Sequence, residues 1–499
     1  MEQITEHEKN TSLKHKTVIG AIWAFFDTFG GMVIGFIIGV FLARLLSPSE
    51  YGLLGMIAVF SGVANMFVNS GFSQALIRKP DLNEDDIQTT FWYSLGMSIL
   101  MYAILFFAAP YVAQFYSEPQ LTTIMRVTNL PILISPFSIY PTLIINRELK
   151  FNVSTKVTYL CTIISGIVAI IMAFSGFGVW SLVIQGIASS LLSVTILNLL
   201  FKWKIRYRFS KISFSYLWSF GNKLLASGLL DTIYSNLSQI VIGRVYSSYD
   251  LGQYQRASSY NNIFSRTLTG TIQRVSYPAL SKLQNEPERM RSAYRKLIKF
   301  STMLSCAGCL CLAATAKPLI VLLIGEKWLP CVEYMQIICF SALLYPVHAL
   351  NLKVLQVIGR SDLFLRLEII KKIVGASTIL FGVFISIKAM LIWGIFTSYI
   401  CFGINAYYSK EFLEYSFLRQ FRDILPFIVS YTLIGLITWS LTLLQTSLIL
   451  ILGLQIVLFL CLSILYNELF HVPEYLELKN MILKGWHRFC QYIRHGRKL

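Results

Sequence analysis

Arg44-Leu-Leu-Ser47-Pro-Ser-Glu50-Tyr-Gly52 returns 200 residues later as Arg244-Val-Tyr-Ser247-Ser-Tyr-Asp250-Leu-Gly252. In each stretch an arginine closes an apolar run, a serine follows three residues on, an acidic residue precedes glycine by two, and a new apolar run begins. Upstream stand Asp27-Thr28 and Asp231-Thr232, offset by about one helical turn from that register. Six apolar runs separate the copies, so they lie parallel in a membrane, related by an axis along its normal. The repeat predicts two six-helix lobes around a central cavity, with rocking of the lobes as the mechanism.

The composition supports this reading. Of 499 residues, 55% are hydrophobic and only 14% charged, whereas a soluble domain carries about 25% charged residues. A soluble enzyme is excluded on that ground. Runs long enough to span a bilayer cover roughly 18–43, 52–77, 90–113, 121–143, 157–176, 178–201, 216–243, 253–278, 299–324, 332–357, 367–387, 389–408, 424–443 and 447–468. The expected fold is all-α and polytopic, with about 14 transmembrane helices. These are two pseudo-symmetric six-helix lobes plus two C-terminal helices. The divisions are 1–17 (N-terminus), 18–201 (first lobe), 202–215 (basic linker), 216–408 (second lobe), 424–468 (helices 13 and 14) and 469–499 (basic tail). The first run is longer than a signal-peptide core and lacks a small-residue cleavage signature, so it is expected to be retained.

The net charge of +18 is mostly a statement about orientation. Segments 1–16, 78–89, 144–156, 202–215, 279–299, 358–372, 409–423 and 469–499 hold 32 of the 43 Lys and Arg residues, while the opposite set holds only Arg44, Arg244, Lys327 and Lys388. The positive-inside rule then puts both termini in the cytoplasm. No segment is left for a nucleic-acid-binding domain. The tail from Lys484 to Lys498, with Trp486, Phe489 and Tyr492, reads as a solvated end or as a short amphipathic segment on anionic lipid. Residues 281–295 read as a cytoplasmic linker, or one carrying a surface helix.

The remaining charges lie at membrane depth, where each Asp, Lys or Arg costs about 2.5–3.5 kcal/mol to insert. Helix 8 carries Arg256, Arg266 and Arg274. Arg256 and Arg274 share a line, Arg266 lies about 80° away, and the three span about 27 Å. The outer two can snorkel; Arg266 cannot. Lys223 and Asp231 share a face of helix 7 about 12 Å apart. Asp27 and Asp231 could take up a proton, pair with an arginine or receive helix-end donors. Asn65, Asn69, Asn261, Asn262 and Gln273 extend the polar lining or bond between helices. Pro131, Pro136 and Pro141 predict bends in helix 4, and Gly30, Gly31, Gly35 and Gly39 predict close packing of helix 1.

A cavity richer in cations than acids points to an anionic substrate, and arginine's bidentate donation suits phosphate. A phosphate-binding loop ending in Gly-Lys-Ser or Gly-Lys-Thr is absent, so ATP is not the direct energy source. Cys306-Ala-Gly-Cys309 lies in an apolar run and reads as packing, and the scattered histidines suggest no metal site.

Lys16-Thr-Val-Ile-Gly-Ala-Ile-Trp23, Phe41-Leu-Ala-Arg44 through Gly52, and Phe67-Val-Asn-Ser-Gly-Phe-Ser-Gln-Ala-Leu-Ile77 resemble the start of bacterial polysaccharide transporters of the Wzx-like, WzxC-type branch. That branch belongs to the MATE-like multidrug/oligosaccharidyl-lipid/polysaccharide exporter superfamily. The resemblance continues at Leu251-Gly-Gln-Tyr-Gln-Arg256 and Pro278-Ala-Leu-Ser281. It implies a fourteen-helix protein of the bacterial inner membrane. Such a protein moves an undecaprenyl-pyrophosphate-linked oligosaccharide to the periplasmic leaflet for lipopolysaccharide, capsule or exopolysaccharide synthesis. No cofactor is implied; a proton or sodium gradient would supply energy, with polysaccharide polymerases and glycosyltransferases as partners. Three other readings stay open: a drug or cation antiporter, a flippase for the peptidoglycan precursor, and an assembly component that transports nothing.

Overall fold

The structure is a computed structural model in which residues 29–495 are described. Every regular element among these residues is helical. Among the described residues, ten helical stretches are long and apolar enough to cross a membrane. Contacts group the chain into two compact units, 1–255 and 256–499.

In the first unit, α1 (Phe29–Leu45) leads into α2 (Pro48–Asn69) and the short α3 (Phe72–Arg78). A left-handed Ser70-Gly71 pair breaks α2 from α3, and a side chain on Gly71 would collide with Leu224. α4 is Glu84–Tyr116. The fourth apolar run is broken as its prolines predict: α5 (Leu121–Thr128), α6 (Pro131–Ile134), a 3-10 turn over Ser135–Ser138 and α7 (Ile139–Arg147). α8 (Phe151–Phe174) and α9 (Val179–Phe201) pack as a hairpin, and α10 (Lys211–Val245) packs on α2, α3 and α4. Of the helix 1 glycines, Gly30 permits a close approach, since a Cβ there would fall 1.7 Å from the Tyr159 hydroxyl. Gly35 meets nothing within 4 Å, so the close packing expected there is not found.

The loops of this unit gather at two ends. At one, Ser248 Oγ donates to Glu118 Oε1 at 2.9 Å, and Glu50 lies against Gly178. At the other, Arg147 donates to the carbonyls of Leu76, Lys79 and Pro80, and Gln88 bonds the backbone of residues 204–206. The second end carries Arg78, Lys79, Arg147, Lys204, Arg206 and Arg208; the first carries Arg44 and Arg244 beside Glu50, Glu118 and Asp250. Basic residues thus segregate by end within the folded unit.

α11 (Ser248–Ser281) passes from the first unit into the second. There follow α12 (Pro287–Ile324), α13 (Leu329–Ala342), α14 (Tyr345–Val357), α15 (Ser361–Phe384), α16 (Ile387–Leu413), α17 (Phe417–Ser440), α18 (Leu448–Leu469) and α19 (Pro473–His495). Two boundaries differ from expectation. Most of the linker expected over 281–295 is helix continuous with the ninth span, and α15 begins at Ser361, so Arg366, Lys371 and Lys372 lie in its first half. Hydropathy misses such turns because their side chains are charged, although the backbone stays helical and Glu368 pairs with Lys371 at 2.5 Å.

The second unit is pinned by Asn351, which is 1% exposed. Its Oδ1 accepts from Tyr294 at 2.7 Å and Ser409 at 2.9 Å, while its Nδ2 donates to Val347 O and Gln420 Oε1. Four helices therefore share one satisfied amide, surrounded by Leu350, Val354, Ile298, Phe402 and Ile424. A buried amide of this kind specifies one packing, because leaving its partners unpaired costs about 1–3 kcal/mol each.

Candidate functional site

The repeated stretches form the same local structure. Ser47 caps α2: Glu50 N–H donates to Ser47 Oγ at 3.4 Å, and Ser47 N–H donates back to Glu50 Oε2 at 2.6 Å. In the second copy Asp250 N–H donates to Ser247 Oγ at 3.1 Å, and Ser247 Oγ donates to Asp250 Oδ2 at 2.6 Å. Serine with an acid three residues on is the chemistry of a helix N-terminus, because it satisfies amides that have no intrahelical acceptor. Burial, and then the Asp250 charge, push the neighbouring Tyr246 phenol above its ordinary range.

The two turns also meet each other reciprocally. A Cβ on Gly52 would stand 1.7 Å from Ser248 O, and one on Gly252 would stand 1.9 Å from Pro48 O. Residue 52 touches 248 while residue 252 touches 48, the pattern of a local two-fold axis. Gly55 and Gln255, which are equivalent at the 200-residue offset, face one another. Only glycine fits either contact.

The predicted site residues of the first unit lie near a seam between α2 and α10. Gly62 packs on Thr232, and Met66 on Gly228. Asn65 and Asn69 flank that seam and are engaged within their own helix: Asn65 Nδ2 donates to Ser61 O at 2.8 Å, and Asn69 Nδ2 to Asn65 O at 2.9 Å. Lys223 and Asp231 are exposed on α10. Arg44 is exposed at the end of α1, and the Arg244 guanidinium lies 5.3 Å from the Phe115 ring centre. Asp27 lies outside the described residues.

The helix 8 residues differ in burial along α11. Ala257, Asn261 and Ser265 are buried, Asn261 Nδ2 donating to Ile338 O at 3.4 Å, and Phe264 lies over Gly308. Arg256 is half-buried, its guanidinium 5.7 Å from the centre of the buried Trp328 ring. Asn262 and Gln273 are half-buried, while Arg266 and Arg274 are exposed. Within the second unit, then, Arg266 and Arg274 share the open side of α11, and Arg256 is drawn onto an aromatic surface.

The chain matches, over residues 41–333, the family described as polysaccharide biosynthesis protein. The chain belongs to that family. It is 24% identical over 384 residues to the lipopolysaccharide biosynthesis protein WzxC of Escherichia coli, covering 74% of this chain and 76% of that protein. Its fold is similar to that of the lipid II flippase MurJ, solved in an inward closed conformation, with a TM-score of 0.67 at 15% identity over 90% of this chain and 99% of that one. An inward-facing multidrug transporter of the MATE family gives 0.57 at 14% identity over 84% and 96%. This member of the polysaccharide biosynthesis protein family is an all-α polytopic membrane protein with a MATE- and MurJ-like fold.

Besides the Asn351 network, sequence reasoning passed over a second polar cluster in the second unit. His348 is hydrogen-bonded at both ring nitrogens, to Ser398 Oγ and to Asn405 Nδ2, each at 3.1 Å. The signal was present, since His348 is the one histidine well inside an apolar run, but its partners lie 50 and 57 residues away. Among the described residues no group of His, Cys, Asp and Glu could hold a metal ion.

Proposed function

We propose that this protein moves an undecaprenyl-pyrophosphate-linked oligosaccharide from the cytoplasmic to the periplasmic leaflet of a bacterial inner membrane, supplying lipopolysaccharide, capsule or exopolysaccharide synthesis. It acts as a transporter and breaks no covalent bond. The observation that carries this is the basic, open side of α11 in a polysaccharide biosynthesis membrane protein. Arg266 sits near mid-helix, about five turns from the start of α11 and about four from its end, where a cation is costly unless it faces water, protein or an anion. Guanidinium groups donate in pairs to phosphate oxygens. Arg266 and Arg274, with Asn262 and Gln273, hold the pyrophosphate, while the lipid tail stays in the bilayer.

The reading extends to fourteen spans in two six-helix lobes plus two further helices, with both termini cytoplasmic and alternating access driven by rocking. The reciprocal turns at Gly52 and Gly252 support a duplicated plan. A proton or sodium gradient supplies the energy, with Asp231 and Asp27 as the coupling groups. Polymerases and glycosyltransferases act before and after it.

The test is flipping of defined lipid-linked glycans by the full chain in proteoliposomes. Undecaprenyl-pyrophosphate oligosaccharide should cross at a rate that collapses in Arg266→Ala. Passage of organic cations instead would replace this proposal with a drug antiporter, and passage of the peptidoglycan precursor alone would narrow it to that cargo.

A further inference from the structure

Residues 202–211 read Lys-Trp-Lys-Ile-Arg-Tyr-Arg-Phe-Ser-Lys, with cations alternating with apolar, mostly aromatic residues up to Phe209. The segment joins α9 to α10 and is non-helical from Lys202 to Ser210. It is nevertheless held. Gln88, fully buried on α4, donates from Nε2 to Lys204 O at 3.0 Å and accepts at Oε1 from Arg206 N–H at 3.0 Å. A side-chain amide here plays the part of a neighbouring strand's peptide group, bonding the residues either side of Ile205. Trp92 Nε1 donates to Arg206 O at 2.9 Å, and Ser210 N–H donates to Thr89 Oγ1 at 3.0 Å.

Pinned this way, the strap sorts its side chains. Trp203 packs edge-on to Phe91, stacks on Tyr140 and donates to Glu84; Tyr207 leans on Trp92; Phe209 meets Phe214. Lys204 and Arg206 are exposed and make no ion pair among the described residues, while Arg208 reaches Asp85 at 3.5 Å and stays 54% exposed. Alternate residues of an extended chain stand about 7 Å apart. Tyr207 and Ile212 are each 85% exposed beside these cations. Exposed aromatics next to lysine and arginine, at the end of apolar helices, are the chemistry of the bilayer interface, where rings sit among headgroups and cations meet phosphate.

We infer that the strap of residues 202–211 is a pre-formed docking rail for the anionic phospholipid headgroups of the leaflet at that end, with Lys204, Arg206 and Arg208 as the phosphate-binding groups. It requires only that the chain span a membrane, and does not depend on which cargo is moved. Gln88 matters as a positioning residue: it bears no charge, yet it holds the cations in line.

The test is native mass spectrometry of the full chain released from nanodiscs of four parts phosphatidylcholine to one part phosphatidylglycerol, with phosphatidylglycerol titrated. Each cation near an anionic surface is worth about five-fold in affinity, so the triple variant Lys204→Gln, Arg206→Gln, Arg208→Gln should bind phosphatidylglycerol at least about ten-fold more weakly. A charge-matched triple, Arg289→Gln, Lys410→Gln, Arg419→Gln, should leave that binding within about two-fold. Equal losses from the two triples would overturn the proposal, as would no loss from the first. Gln88→Ala, with every cation retained, should weaken binding by about three-fold; unaltered binding would overturn the role of the pinned geometry. Undecaprenyl pyrophosphate replaces phosphatidylglycerol in a final titration. Strap-dependent binding of that lipid alone would overturn the assignment by giving the rail to the transported carrier.

Discussion

α2 and α11 begin with the same capped turn, and their side chains have gone different ways. At the 200-residue offset Arg256 corresponds to Met56, Arg266 to Met66 and Arg274 to Gln74. Met56 is 1% exposed and Met66 38%, whereas Arg266 lies on the open side of its helix. Both helices keep a serine cap, an acid in the first turn and a glycine against the partner turn. The two helices share the plan of their first turn, while the cations at depth stand on α11. Packing demands are therefore symmetric in the repeat, and chemical demands are not.

The most severe way to break that comparison is to move the charge. Arg266→Met is expected to lower glycan transport on the order of 100-fold, the loss of a charge-assisted bidentate contact. Adding Met66→Arg should not restore it, and restoration in proteoliposome assays would make the copies chemically interchangeable. Next come the shared glycines. Gly52→Ala and Gly252→Ala each force a Cβ into a backbone carbonyl and should each destabilise by about 1–3 kcal/mol. Thermal unfolding in detergent checks this, and losses differing by more than about 1 kcal/mol would deny the local two-fold.

Smaller effects sharpen the same contrast. Ser47→Ala and Ser247→Ala should each cost about 1 kcal/mol, because each removes one cap. A cost confined to one copy would show that the other turn is held by its surroundings. Asn65→Ala should change stability by only about 0.5 kcal/mol, since its amide bonds within its own helix. A large transport defect in that variant, with stability intact, would place Asn65 in the cargo path.

The repeat could be read before any coordinates because its parts are local. Ser47 and Glu50 are one turn apart, as are Ser247 and Asp250, and the spacing survives duplication. The prolines of the fourth run broke it where ring geometry required. What could not be read was anything closed over long separations. Gln88 is one glutamine among many until it meets residue 204, which is 116 positions away. Asn351 shows no sign in sequence of collecting Tyr294, Ser409 and Gln420. The three arginines of helix 8 were legible as charges at depth, but their division into a pair on the open side and one over Trp328 depended on packing from α12 and α13.

The 38 residues of α12 give it a length of about 57 Å, against about 30 Å of hydrocarbon. The excess is braced on several sides: Arg291 pairs with Glu414, Arg295 with Asp423, Lys296 with Glu477 and Lys299 with Glu474. A helix that leaves the bilayer already splinted is a ready mounting post. A small rigid domain fused across the turn before Pro287 would inherit its orientation, giving electron microscopy a visible marker on a protein otherwise almost hidden in its detergent belt.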